Sequence, residues 1–261
     1  MAEVYGTPSR PRRRWGRRLL IVFIVLLVIV GVILAVADRV GLSYAERMIG
    51  DKVAAQVSAQ KATSDQPEVT IVGFPFLTQV AAGKYHEVKI ELANFSAPAN
   101  GRTLKLPLLD VRAQDVRAPL SALRSGGSIV ATTVTGTGTI DYTQLATLIG
   151  QRDLKLTEKD GKLTGSLPVS LLGQTFEVTG TAALSVSKGA LQVRVSDVTT
   201  GNAPDAALVR NLINTYVKSL GVSFKLPTLP LRLTVESLQP QPNGLTFTAA
   251  AHDVTFAAGG L

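Results

Sequence analysis

The chain has 261 residues, a formal net charge of +8 and no cysteine. The missing thiols exclude a disulfide framework, a thiolate zinc site, a cysteine nucleophile and a lipid-modified cysteine after the leader, so an exported domain must be held together by its core alone. Residues 1–18 carry six arginines and one glutamate, so +5 of the +8 sits there and +3 is left for the other 243 residues, too dilute for a nucleic-acid surface.

Leu19 to Ala37 reads LLIVFIVLLVIVGVILAVA, nineteen residues without a charge or a polar side chain. At about 1.5 Å per residue they span roughly 28 Å, close to the hydrocarbon thickness of a bilayer. Sixteen of them are Leu, Ile, Val or Phe; their summed insertion energy is on the order of −5 to −10 kcal/mol, an upper bound because residues near the ends count for less. A buried core helix would need a polar face or a shorter run. The arginines stop just before Leu19 and no comparable cluster follows. The positive-inside rule therefore predicts a cytoplasmic segment 1–18, a membrane-spanning helix 19–37 and an exported domain 38–261. Trp15 suits a headgroup-level anchor. Ala35-Val36-Ala37 matches a signal-peptidase site, and a secreted form released after Ala37 is the alternative. The apolar run exceeds the usual signal-peptide length of about 7–15 residues, which favours an uncleaved anchor.

Arg39 to Ala62 has the spacing of an amphipathic helix, with Leu42, Ala45, Ile49 and Val53 on one stripe. From Glu68 onward the period changes to two. Val69 and Ile71 alternate with polar neighbours, as do Val88, Ile90 and Leu92; Leu104, Leu106 and Leu108; Leu191, Val193 and Val195; and Leu231, Leu233 and Val235. Asn100-Gly101, Asp160-Gly161, Lys188-Gly189 and Asn243-Gly244 are the turn signals between them. Two further helices are predicted, Tyr142 to Ile149 and Asp205 to Leu220. The expected exported part is one α+β domain built on a curved, mostly antiparallel meander.

Catalysis has little material. The two histidines, His86 and His252, lack a nucleophile motif or metal-ligand spacing around them. Between Leu245 and Phe256 the alternation slips at His252-Asp253, the mark of a β-bulge. Gly136-Thr137-Gly138 lacks a third glycine and lies in a threonine-rich strand, which argues against a dinucleotide loop. No catalytic residue, metal site or cofactor is assigned. The Asn94-Phe95-Ser96 sequon is too short to carry weight. Aromatic residues make up 5% of the chain and Trp15 is its one tryptophan, poor material for stacking bases or sugars.

The most distinctive stretch is Val72-Gly73-Phe74-Pro75-Phe76-Leu77-Thr78-Gln79, with Tyr85 close behind. Proline breaks a ladder and fixes a turn, so Phe74, Pro75, Phe76 and Leu77, with Tyr85 near by, form an apolar cluster at a sheet edge or in a loop. One reading is a plug sealing the core. The other is the mouth of an apolar ligand groove or a membrane-touching tip.

At these residues the sequence resembles the LmeA-like phospholipid-binding proteins of actinobacterial cell envelopes. The likeness rests on G-F-P-F-L-T-Q, the G-x-Y-x-x-V-x-I of Gly83 to Ile90, the arginine-rich start and the single apolar segment, and runs from about Ala45 to Phe256. It implies a long curved sheet wrapped on a helix, similar to tubular lipid-binding domains. It also implies a periplasmic phospholipid partner of phosphatidylinositol type, and a role in maturing mannosylated inositol glycolipids or in lipid transport. The leading expectation is a non-enzymatic phospholipid-binding module with Phe74, Pro75, Phe76, Leu77 and Tyr85 at its entrance. The alternatives are an envelope scaffold with a dry core, and a hydrolase or transferase acting on envelope lipids.

Overall fold

A computed structural model describes residues 15–99, 101–125, 127–148, 150–171, 174–187, 190–201, 223–225 and 233–257. The Lys188-Gly189 turn and the helix expected over 205–220 lie outside them. The first element is one unbroken helix, α1 (Trp15–Ala59), which joins the apolar segment to the amphipathic one. No proline or glycine pair interrupts the sequence between them, so nothing breaks the helical hydrogen-bond ladder. Its large apolar side chains from Leu19 to Val36 are all exposed, whereas a core helix would cover them. A helix so apolar and so bare fits a membrane anchor or a signal sequence.

The rest is α+β with two open, antiparallel sheets. The first contains β1 (Glu68–Val72), β2 (Lys84–Ala99), β3 (Arg102–Arg117), β4 (Ser128–Ile140), β11 (Gly244–Ala257) and β10 (Thr234–Gln241), in that spatial order. The second runs β5 (Lys155–Lys159), β6 (Lys162–Leu171), β7 (Gln174–Ser187), β8 (Ala190–Gly201) and β9 (Ser223–Lys225). Among the described residues, three short helices sit between strands: α2 (Phe76–Ala82), α3 (Leu120–Ser125) and α4 (Tyr142–Leu148). The sequence reading did not foresee α2 and α3. Each spans two turns or less, too short for an apolar period to register.

The meander divides where α4 intervenes between β4 and β5. Asp141 caps α4, its Oδ1 accepting from the amides of Thr143 at 2.8 Å and Gln144 at 3.3 Å. Tyr142 and Leu145 of α4 pack with Leu163 of β6 and Leu245 of β11, joining the sheets. The Tyr142 hydroxyl donates to the Gln241 carbonyl at 2.7 Å, and burial pushes its phenol above the ordinary value, so it stays a donor. The larger core lies on one face of the first sheet. Leu92, Phe95, Leu104, Leu106, Phe247 and Ala249 are buried there against Val53 and Val57 of α1.

The alternation slip expected at His252-Asp253 is present, but it is not a one-strand bulge. The pairing between β4 and β11 keeps one register on both sides of it. The same slip occurs in neighbouring strands at the same row. His86-Glu87, Gln114-Asp115, Thr132-Thr133 and His252-Asp253 are in register across β2, β3, β4 and β11. Asp115 and Asp253 take a φ of +49°, a left-handed conformation that Asp tolerates better than most side chains. Buried or half-buried residues flank the row on both sides: Ala113 and Val116, Ala131 and Val134. Two successive residues per strand face outward, which lengthens that side and curves the sheet toward its apolar face. A similar step at Asn94, φ +50°, lies opposite Pro107. It explains why Leu108, expected to share the inner face with Leu104 and Leu106, is exposed while Val111 is buried. Both histidines are therefore on the outer side, in or beside the crease.

Candidate functional site

Between β1 and β2 the chain makes the Phe-Pro-Phe turn. Gly73 has a φ of +119°, a conformation that strains any other residue, and a Cβ there would lie 2.6 Å from the side-chain Nε2 of Gln79. The Phe74–Pro75 bond is cis. Pro75 precedes α2 and offers no side-chain cap. The cap comes from α1: Asp38 Oδ1 accepts from the Leu77 amide at 2.7 Å. A carboxylate is the stabilising charge at a helix N-terminus, where backbone N–H groups lack partners. Asp38 is buried at 2% exposure, one residue beyond the apolar run. Thr78 closes the first turn by donating to the Pro75 carbonyl at 2.7 Å. Gln79, also buried, accepts from the His86 amide at 3.2 Å through Oε1.

The five residues of the expected entrance part company here. Phe76 points inward at 5% exposure, against Gly41 of α1 and near the Tyr85 ring, with centroids 6.3 Å apart. Tyr85 is half-buried, which raises its phenol above the ordinary value. These two fasten α2 and β2 to α1. Phe74, Pro75 and Leu77 face outward. Phe74 is 67% exposed, with the Arg39 guanidinium 5.5 Å from its ring centre, a cation–π distance. Leu77 lies beside Gly41, its Cδ2 3.8 Å from where a Cβ would stand there, and is partly exposed.

Sequence reasoning missed Asp38, Arg39, Gly41 and Glu46. Glu46 Oε1 accepts from the Ile71 amide at 3.0 Å, covering an edge strand whose backbone would otherwise be bare. The available signal was a charged pair, Asp38-Arg39, placed where an apolar helix ends. It pointed to a membrane border without showing that Asp38 turns inward.

The first sheet packs its apolar face on Val53 and Val57 of α1, and the Phe74–Leu77 turn meets the same helix earlier, at Asp38 and Gly41. Among the buried described residues the polar or charged side chains are Asp38 and Gln79, both at the turn, and the sheet's buried inner face is aliphatic and aromatic. No curated protein matches the chain. A family model described as LmeA-like phospholipid-binding matches residues 36–250. The match runs from the last residues of the apolar segment into β11, and the chain belongs to the LmeA-like phospholipid-binding family.

Proposed function

We propose that the chain is a non-catalytic phospholipid-binding protein of the cell envelope, anchored by Leu19–Ala37, with residues 38–261 on the outer side of the membrane. The domain shields acyl chains against the aliphatic face of its curved sheet, and Phe74, Pro75 and Leu77 stand at the entrance. The lipid is of phosphatidylinositol type, and the role is support of mannosylated inositol glycolipid maturation or lipid transport. Family membership over 36–250 is the observation that carries this reading. The exposed outer-side positions of His86 and His252 favour binding over hydrolysis or group transfer. Burying one CH₂ contributes about 0.8 kcal/mol, so half of an acyl chain supplies several kcal/mol of affinity.

The test is native mass spectrometry of residues 38–261 prepared without detergent. Asp38 is retained because it caps α2. Phospholipid adducts are expected; a domain that carries no lipid and binds none from vesicles would leave the scaffold reading in place. The orientation has its own check. A reporter fused after Leu261 that works only outside the cytoplasm should be active, and the same fusion working as a cytoplasmic reporter would reverse the topology.

A further inference from the structure

At the membrane-proximal end of the domain, apolar and cationic groups meet in a way that the fold does not require. The Asp38–Leu77 hydrogen bond sets the Phe74–Leu77 turn beside the residue where the apolar run ends, with no linker between. Phe74 is 67% and Leu77 38% exposed, and on the adjoining turns of α1 Val40 and Tyr44 are 65% and 66% exposed. Water is a poor surrounding for such a cluster; contiguous exposed apolar groups mark a contact surface.

Charge supports the same face. The first rung of the β2–β3 ladder places Lys84 directly opposite Arg117, both exposed. Neither forms a salt bridge among the described residues. Like charges in register destabilise a sheet, so this rung is unfavourable unless an anionic surface faces it. It adjoins Tyr85, whose ring meets Phe76 of the turn. Arg39, over the Phe74 ring, adds a third cation. Large apolar groups rimmed by Lys and Arg are what a layer of anionic headgroups over hydrocarbon takes up.

We propose that the Phe74–Leu77 turn, rimmed by Arg39, Lys84 and Arg117, is a foot that rests in the headgroup layer of the bilayer crossed by α1. Asp38 and Phe76 are the joints that hold the foot against the helix. The domain then stands on its own leaflet in one orientation. The proposal rests on α1 spanning the bilayer and is independent of whether the domain carries lipid.

The chain's one tryptophan, Trp15, makes a fluorescence test direct. The full chain carrying Trp15→Phe is reconstituted into vesicles of phosphatidylcholine and phosphatidylglycerol, with or without bromine on the upper acyl carbons. With Phe74→Trp added, bromine is expected to cut the emission at least twofold. With Thr103→Trp instead, emission should not change, because that site lies at the far end of β2 and β3, about 50 Å away at roughly 3.3 Å per residue. Equal quenching at the two sites, or none at residue 74, overturns the foot. Val28→Trp, mid-helix, must be quenched by deeply placed bromine; if it is not, the spanning reading and the foot fall together. Lys84→Glu with Arg117→Glu should at least halve the quenching at residue 74 in low salt, and unchanged quenching would strike the cationic rim from the proposal. An unquenched residue-74 probe in protein that still carries lipid would overturn the foot and leave lipid binding standing.

Discussion

Phe76→Ala is expected to lower the stability of the domain by about 3–5 kcal/mol, the usual cost of emptying a buried phenylalanine site. Phe74→Ser should stay within about 0.5 kcal/mol, as exposed substitutions do. The two side chains are separated by one proline and differ in exposure from 5% to 67%. Phe76 fills the space over Gly41 and beside Tyr85, and its loss also loosens the helix whose N-terminus Asp38 caps. Urea unfolding of residues 38–261, followed by circular dichroism, distinguishes them. Equal effects would mean that the turn does not separate into an inner and an outer phenylalanine. Substituting both together confounds folding with lipid contact, so an entrance test needs Phe74 and Leu77 alone.

Gly138→Val should do comparable damage at the centre of the first sheet. Gly138 pairs with Leu109 on one side and Phe247 on the other. A Cβ at 138 would stand 2.9 Å from the tip of the Phe247 ring and 3.2 Å from Leu106, closer than carbon atoms approach. The missing side chain leaves room for the Phe247 ring over β4, and Phe247 and Leu106 are themselves buried. Even alanine overpacks the site, at about 1–3 kcal/mol; valine adds two methyl groups to the same gap. The same urea experiment checks it. If Gly138→Ala unfolds at the same urea concentration as the parent, the ring does not occupy that place.

Much of the fold was legible. Strand positions follow from period two where the alternation is clear, and Asn243-Gly244 stands between the strands on either side of it, β10 and β11; Asp160-Gly161 also marks a turn, but between β5 and β6, which the alternation does not single out. What was hidden has a common cause. Period two identifies a face only while the strand stays regular, and at Asn94, Asp115 and Asp253 a left-handed residue shifts the phase. Continuing the count from Leu104 and Leu106 through that shift puts Leu108 on the inner face, whereas it is exposed. Even so, the slip at His252-Asp253 was visible; its partners in three other strands were not, because register joins residues far apart in sequence. At the turn, composition revealed a cluster but not its division, since Phe74 and Phe76 look alike until the backbone direction between them is known. Asp38 carries no local signal of its role: it is a buried cap for a helix thirty-nine positions away, and only the tertiary fold brings the two together.

The unbroken helix has a mechanical consequence. Its 45 residues at 1.5 Å each make a rod about 67 Å long, nearly half of it fixed to the domain. In the proposed arrangement, with Leu19–Ala37 spanning the bilayer, the apolar segment would meet a bilayer thinner than itself by tilting. Here a tilt cannot be absorbed by a hinge, so the rod acts as a lever. Ten degrees at the membrane would displace the tip of the β2–β3 hairpin, about 50 Å out at 3.3 Å per residue, by roughly 9 Å. For a domain anchored in that way, bilayer thickness would set how far from the membrane axis its far end stands.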